Sequence, residues 1–142
     1  MEKLYLSQKI VEGILEHARA TLPNECVGLL FGKGEKAKRR VPLMNIADVT
    51  TRYFAAPTEL LAALREADRR GDDLLAIYHS HPNGRQTPSE VDMKEVRYDA
   101  VHLIAVPQLG ILRGFMLGEG VREVDLIFRT ATLEENCEEI TQ

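Results

Sequence analysis

Apolar side chains recur at helical spacing in two segments of the chain. Intervals of three and four residues place them on one face of a helix, which is the pattern of a helix packed against a core. We therefore predict a helix over residues 7–20, capped by Ser7, and a second helix over residues 58–70. The inward-facing residues would be Ile10, Val11, Ile14 and Leu15 in the first helix, and Leu60, Leu61, Leu64 and Ala67 in the second.

Short apolar runs bounded by glycine and polar residues predict strands in the rest of the chain. An exposed hairpin connection at residues 32–36 would join the first two strands. Strands and helices in this order predict a single α+β domain, in which helices flank a mixed β-sheet. The predicted strands cover residues 26–31, 40–46, 74–78, 101–106, 111–117 and 121–128.

Two histidines follow the third predicted strand, in the sequence His79-Ser80-His81-Pro82. Successive side chains of a strand point to opposite faces, so His79 and His81 would lie on one side and Ser80 on the other. Pro82 then ends the strand. The two imidazoles are therefore aligned in a way that suits one metal ion.

A helix start lies a few residues further on. Thr87-Pro88-Ser89-Glu90 has the form of a Thr cap with Pro in the first turn and Glu three residues after the cap. We predict a helix that begins near Ser89, in which Ser89 and Asp92 stand three residues apart and share a face. Both side chains could then turn back toward the end of the histidine strand.

His79, His81 and Asp92 form a donor set for one ion. Three protein ligands with an open water position are typical of a catalytic zinc site, whereas structural zinc sites usually close with four ligands, often cysteines. Two histidines and a carboxylate also suit ferrous iron in an oxygenase, so the residue types alone leave the metal open. The set indicates chemistry rather than scaffolding.

A carboxylate stands far upstream, where a predicted helix gives way to a strand. Glu25, His79, His81, Ser89 and Asp92 follow one known motif: a Glu, then His-x-His, seven residues, Ser, two residues and Asp. On these residues the chain resembles the JAMM (MPN-plus, Mov34-type) metalloprotease family, in its short prokaryotic form. The resemblance extends from the first helix to the last strands.

The resemblance implies a role for each motif residue. His79, His81 and Asp92 would bind Zn²⁺, which lowers the pKa of a bound water to about 7. Glu25 would accept that water's proton and deliver it to the leaving amine. Ser89 would donate a hydrogen bond to the oxyanion formed from the scissile carbonyl. The implied fold is the cytidine-deaminase-like JAMM/MPN architecture, and the implied activity is that of a zinc metallopeptidase that hydrolyses amide bonds.

The size and composition of the chain set the frame for this site. Its 142 residues, 44% of them hydrophobic, suit one domain with a real core, which we expect over residues 1–131, followed by an acidic tail over residues 132–142. No leader pattern or membrane-length apolar run is present, so we expect a cytoplasmic protein without a membrane partner. Cys26 and Cys137 lack CxxC spacing and are expected to stay reduced.

The family resemblance also implies a class of substrate. Members commonly cut after the Gly-Gly tail of ubiquitin or ubiquitin-like proteins, and strand addition at a sheet edge would hold that tail extended. Members that act on ubiquitin chains carry insertions, whereas this chain has short connections between its motif elements. It therefore resembles prokaryotic members linked to small ubiquitin-like sulfur-carrier proteins, from which a C-terminal extension or a conjugated lysine or cysteine is released. A homodimer through an exposed sheet edge is a further expectation.

Two other functions stay open. One is a noncatalytic MPN-type interaction module, as occurs where members of this fold lose metal ligands, although every motif position is present here. The other is a RadC-like DNA-associated protein, whose signature also has His-x-His-Pro followed by Ser and Asp, but in a longer chain with an added DNA-binding region. The formal net charge of −4 argues against a general nucleic-acid surface, so we expect no nucleic-acid partner.

Overall fold

Seven strands and three helices make up the part of the chain that the computed structural model describes, which is residues 1–47, 50, 52–94 and 99–130. The helices are α1 (Gln8–Thr21), α2 (Pro57–Arg70) and α3 (Glu90–Lys94). The strands are β1 (Lys3–Ser7), β2 (Val27–Lys33), β3 (Lys36–Leu43), β4 (Asp73–Ser80), β5 (Val101–Val106), β6 (Ile111–Leu117) and β7 (Val121–Arg129). The predicted tail over residues 132–142, with Cys137 in it, lies outside the described residues.

The strands form one mixed sheet that closes on itself. Their order is β1-β3-β2-β4-β5-β6-β7, and β1 pairs in parallel with β7 to complete the ring. The histidine strand β4 lies between β2, with which it runs antiparallel, and β5, with which it runs parallel. The predicted α+β class with a mixed sheet is thus confirmed, and closure of the sheet is a feature that the sequence pattern did not predict.

The two long helices cover opposite faces of this sheet. Alternation along the central strands sends Leu30 and Tyr78 into the apolar cluster that contains α1, and Leu29, Phe31 and Ile77 into the cluster that contains α2. Ser7 accepts a hydrogen bond from the backbone N–H of Ile10 and caps α1 as predicted. The histidine face of β4 is therefore the α2 face.

Strand β1 is absent from the predicted elements. Leu4 and Leu6 are fully buried and pair with Leu126 and Phe128 of β7. The strand is five residues long and runs directly into the α1 cap, so its two apolar positions offer too short an alternation to separate it from the helix that follows.

The predicted bounds of the first hairpin are also wrong. Strand β3 covers Lys36–Leu43 rather than residues 40–46, and the connection is a tight turn at Gly34 and Glu35, where Gly34 has a φ of +60°. Charged residues make up most of the start of β3. Because this strand is half exposed to water, its composition resembles that of a loop. The prediction that Leu61 of α2 faces inward is also wrong, because Leu61 is 47% exposed. Ala67 is buried, as predicted.

One strand of the closed sheet, β3, has an edge that is only partly paired within the described residues. The pairing of β1 with β3 is limited to Tyr5 with Lys36, so the rest of β3 lacks a strand neighbour on that side within the described residues. The homodimer expected through an exposed sheet edge stays a prediction. Within the described residues, none of the helices is both long enough and apolar enough to cross a bilayer.

Candidate active site

The end of β4 presents two buried imidazoles on one face of the sheet. The Nε2 atoms of His79 and His81 lie 3.2 Å apart, and both side chains are almost completely buried. Ser80, between them, points to the opposite face, where its Oγ accepts a hydrogen bond from the backbone N–H of Cys26. The alternation predicted from the sequence therefore holds.

Asp92, on the short helix α3, turns back toward the two histidines. Its Oδ2 lies 3.2 Å from Nε2 of His79 and 3.0 Å from Nε2 of His81. Helix α3 begins at Glu90, and Ser89 caps it, because the Ser89 Oγ accepts from the Asp92 N–H while Asp92 Oδ2 accepts from the Ser89 N–H. The predicted cap at Thr87 is thus wrong by two residues, since Ser89 supplies the closer acceptor.

The tautomer of His81 follows from its second nitrogen. Nδ1 of His81 lies 3.0 Å from the backbone carbonyl oxygen of Arg85, and a carbonyl can only accept a hydrogen bond, so Nδ1 is the donor. In the neutral ring Nε2 then keeps its lone pair and points it at the gap between His79 and Asp92. A ring held in this way is the usual arrangement of a metal-binding histidine.

The three converging atoms fit a zinc ion. Tetrahedral zinc with bonds of about 2.0–2.1 Å separates its ligand atoms by about 3.3 Å. The three separations here are 3.0, 3.2 and 3.2 Å. Two nitrogens and one carboxylate oxygen are also donors that zinc prefers. His79, His81 and Asp92 could therefore hold the ion with little movement.

Glu25 lies next to this set, just before β2 begins. One of its carboxylate oxygens and one ring nitrogen of each histidine lie within 4.8 Å of one another. The side chain is 4% exposed, and its Oε1 has no hydrogen-bond partner among the described residues. Burial raises the pKa of Glu25 to about 7, with His81 opposing the shift and Asp92 adding to it. A carboxylate of this kind is suited to exchange protons near neutral pH.

The charges of Asp92 and the two histidines influence one another. Burial alone would lower the pKa of His81, but the hydrogen bond and charge of Asp92 outweigh it and raise that pKa. Burial alone would likewise raise the pKa of Asp92, but hydrogen bonds from His79 and His81 hold it well below its ordinary range. Asp92 is therefore ionised, as a carboxylate ligand of a cation must be.

Residues of this set line two cavities. A cleft of about 590 Å³ is open to solvent and is lined by Glu25, His81, Ser89 and Arg85. Asp92 lines a second, apolar cavity of about 300 Å³, which is walled by Tyr53, Phe54 and Leu60 among others.

Sequence reasoning missed two residues of the surroundings. The ring of Tyr53 stacks on that of His79, with centroids 4.7 Å apart. The side chain of Asn45 joins the Glu25 carbonyl to the segment that carries Tyr53. Both residues lie between β3 and α2, where no periodic pattern marks them. The histidines left as structural, His17 and His102, contact Tyr78 and line the apolar cavity, respectively.

Comparison with known proteins identifies the family to which the chain belongs. The model of prokaryotic homologs of the JAB domain matches residues 7–123. A probable TtuB-protein conjugate cleaving protease of Thermus thermophilus is 43% identical over 123 residues, which are 83% of this chain and 80% of the relative. A CysO-cysteine peptidase of Mycobacterium tuberculosis is 27% identical over 123 residues, which are 82% and 84% of the two chains.

Solved structures give the same fold. A protein from Desulfitobacterium hafniense solved in solution is 30% identical, with a TM-score of 0.81 over 92% of this chain and 96% of its own. The structure described as "JAMM: A Metalloprotease-like Zinc Site in the Proteasome and Signalosome" has a TM-score of 0.55 at 18% identity, over 89% and 99% of the two chains, which shows the fold alone. The family, fold and enzyme class predicted from the sequence are confirmed: the chain belongs to the prokaryotic JAB family and is a metalloprotease of the JAMM type, with zinc as its cofactor.

Proposed function

We propose that this protease hydrolyses the amide bond after the Gly-Gly C-terminus of a small ubiquitin-like sulfur-carrier protein. The observation that supports it best is the convergence of three donor atoms within 3.2 Å at an open cleft. Beside them lies the buried carboxylate of Glu25, whose Oε1 has no hydrogen-bond partner among the described residues. The relatives named for a TtuB-protein conjugate and for CysO-cysteine support the class of substrate.

His79, His81 and Asp92 are the proposed metal ligands. Their Nε2 and Oδ2 atoms converge at distances that suit zinc, whereas Glu25 lies further out, within 4.8 Å of the histidine nitrogens. When bound, zinc would supply Lewis acidity that activates water and polarises the scissile carbonyl. This division of ligands leaves the Glu25 carboxylate free for proton transfer.

Glu25 is the proposed general base and then general acid. Its carboxylate would take a proton from the attacking water as the new C–O bond forms, and give it to the amine nitrogen as the C–N bond breaks. The pKa of about 7 balances the two transfers, because the group can gain and lose a proton at similar cost near neutral pH.

Ser89 is the proposed oxyanion donor. Its Oγ already accepts from the Asp92 N–H at 3.1 Å, so the hydroxyl proton remains to be donated. Ser89 lines the open cleft, where a carbonyl oxygen that gains negative charge would meet this hydroxyl.

The two cavities suggest how a carrier tail would lie. The three donor atoms belong to buried side chains, and access to them suits residues without side chains, which Gly-Gly supplies. The apolar cavity would take side chains that precede Gly-Gly, and the open cleft would take the leaving amine, whether from a peptide extension, a lysine or a cysteine. Cys26 is a buried free thiol, in keeping with the reducing cytoplasm that we propose as the place of action.

Intact-mass analysis tests this function. Ubiquitin-like sulfur carriers extended beyond Gly-Gly would be incubated with the zinc-loaded protein, with and without a zinc chelator. We expect chelator-sensitive cleavage directly after Gly-Gly in at least one carrier. Cleavage at another position, or no cleavage of any carrier by zinc-loaded protein, would overturn the assigned substrate class.

A further inference from the structure

One peptide group beside Glu25 is held at both ends by side chains from other parts of the fold. It is the group that joins Glu25 to Cys26. Its carbonyl oxygen accepts a hydrogen bond from Nδ2 of Asn45 at 2.8 Å, and its N–H donates to Oγ of Ser80, also at 2.8 Å. The two bonds fix the orientation of the peptide plane from which the Glu25 side chain departs.

Backbone pairing does little to fix this peptide group. Strand β2 begins at Val27, where the paired positions are His79 on β4 and Leu43 on β3. Beyond that pair, Ser80 N–H donates to the carbonyl of Cys26 at 3.3 Å, which is a long bond. The two side-chain hydrogen bonds therefore fix the backbone beyond the start of β2, as far as Glu25.

Ser80 links the position of Glu25 to that of the histidines. It stands between His79 and His81 on β4, and both Ser80 and Cys26 are fully buried. A shift of β4 would move the imidazoles and, through the Ser80 hydroxyl, the Glu25 peptide together. The distance between the carboxylate and the donor set is thereby kept.

Asn45 links Glu25 to the wall of the apolar cavity. Its Oδ1 accepts from the N–H groups of Ala47 and Phe54, each at 2.9 Å, and its Nδ2 also donates to the carbonyl of Arg52 at 3.2 Å. Phe54 lines the apolar cavity. One amide side chain thus joins that wall to the Glu25 carbonyl.

We propose that Ser80 and Asn45 are positioning residues that hold Glu25 in its working place by binding the two ends of the Glu25–Cys26 peptide group. The inference rests on the general-base role of Glu25 proposed above. A catalytic group displaced by about 1 Å can lose on the order of 10²-fold in rate. Loss of either hydrogen bond should therefore lower kcat more than it alters KM or zinc content.

The test is a pair of double-mutant cycles. Ser80→Ala and Asn45→Ala are measured alone and combined with Glu25→Gln, on a carrier extended beyond Gly-Gly. We expect each single variant to keep its zinc and its KM and to lose about 10–10²-fold in kcat. In the Glu25→Gln background the same changes should cost nothing further, because the group that they position is gone.

Ser7→Ala is the matched control. It also removes a serine hydroxyl that accepts a backbone N–H, at 3.2 Å from Ile10, but at the start of α1. We expect it to lower the Tm and leave kcat unchanged. Equal kcat losses for Ser80→Ala with and without Glu25, or a Ser80→Ala kcat equal to that of Ser7→Ala, would overturn the proposal.

Amide hydrogen exchange at Cys26 tests the contact without a substrate. In the zinc-loaded protein, Ser80→Ala should speed exchange of the Cys26 N–H at least about tenfold, while Ser7→Ala leaves it unchanged. Unchanged exchange in Ser80→Ala contradicts the positioning role even where no carrier is cleaved. Full activity of Glu25→Gln with altered exchange would instead contradict the proposed general-base role. If Ser80→Ala fails to fold, the half-buried Asn45 carries the test through Asn45→Ala and its kcat.

Discussion

At the scale of single residues, the site depends on groups whose ordinary properties have been changed by burial. Glu25 is buried without a hydrogen-bond partner for Oε1 within the described residues, and its pKa is raised to about 7. An exposed glutamate would be fully ionised at neutral pH and would be a poor acid toward a leaving amine. Burial therefore gives one carboxylate both halves of the proposed proton transfer.

Replacing Glu25 by Gln should remove that transfer and keep the metal. The expected loss in kcat/KM is about 10²–10⁴-fold, the usual contribution of general acid–base catalysis. Glu90→Gln is the control, because Glu90 also lines the cleft but is exposed. Cleavage kinetics on a carrier extended beyond Gly-Gly, with the zinc content of each variant measured, would test this prediction. Full retention of cleavage by Glu25→Gln contradicts the role.

Ser89→Ala should slow cleavage by about 10²–10³-fold, as the loss of one oxyanion donor does in other hydrolases. Ser89→Thr keeps the hydroxyl for both the Asp92 N–H and the substrate, so it should retain most of the activity. Because Ser89→Ala also loses the capping bond from the Asp92 N–H, zinc content is measured in both variants, and a loss in kcat at full zinc content is assigned to the hydroxyl. Equal activity of Ser89→Ala and the parent protein would be incompatible with an oxyanion donor.

Zinc affinity should depend on pH through His81. Its pKa is raised, so the metal-free site keeps a proton on this imidazole to a higher pH than an ordinary histidine does, and zinc must displace that proton. Asp92 stays ionised throughout because its pKa is held well below the usual range. The affinity should fall by about tenfold per pH unit for each displaced proton as the pH drops below the His81 pKa. Titration calorimetry between pH 5 and pH 8 would measure this, and a flat affinity would contradict it.

The motif residues could be found from the sequence because their chemistry and spacing are unusual together. Glu25, the two histidines, Ser89 and Asp92 lie around one point, as the strand and helix periods predict. Asn45 and Tyr53 could not be found in this way. Both make their contacts from an irregular segment, and an isolated Asn or Tyr there has the composition of an ordinary loop.

At the scale of elements, long periodic segments were predictable and short or charged ones were not. Helices α1 and α2 follow their apolar periods over 14 residues each, and strand β4 contains an unbroken apolar run over residues 74–78. Strand β1 offers only two inward positions, and β3 carries four charged residues among its first five, so hydrophobicity separates neither from a loop. Both strands form because they pair with strands that are distant in sequence. The hydrophobic pattern carries no information about that pairing.

The pairing of β2 with β4 can be tested at Gly28. This glycine lies opposite Tyr78, and a Cβ added to it would overlap the Tyr78 ring. The ring cannot move away freely, because its hydroxyl is hydrogen-bonded to His17 at 2.7 Å and to Arg40 at 3.1 Å. Gly28→Ala should lower the free energy of unfolding by about 1–3 kcal/mol.

Denaturant unfolding of Gly28→Ala and Gly118→Ala would make the comparison. A Cβ at Gly118 meets no atom within 4 Å, and the φ of Gly118 is not in the left-handed region. That variant should unfold like the parent protein. If Gly28→Ala also unfolded like the parent, the close approach of Tyr78 to β2 would be wrong.

At the scale of the whole molecule, the strand order brings distant segments to one place. Glu25 precedes β2, the histidines end β4, and Asp92 lies on the helix that leads toward β5, so three connections on neighbouring strands build the site. Asp92 lines the apolar cavity, and Glu25, His81 and Ser89 line the open cleft. In the proposed function, a carrier tail would occupy both and bring the bond after Gly-Gly to the proposed metal ligands.

The most direct test of the proposed activity is a zinc titration followed by intact mass. Metal-stripped protein would receive zinc in steps, and the rate of cleavage after Gly-Gly of an extended carrier would be measured at each step. We predict no cleavage without zinc and a rate that rises with bound zinc until His79, His81 and Asp92 of every chain are occupied. Cleavage at the full rate by the metal-free protein would contradict the account.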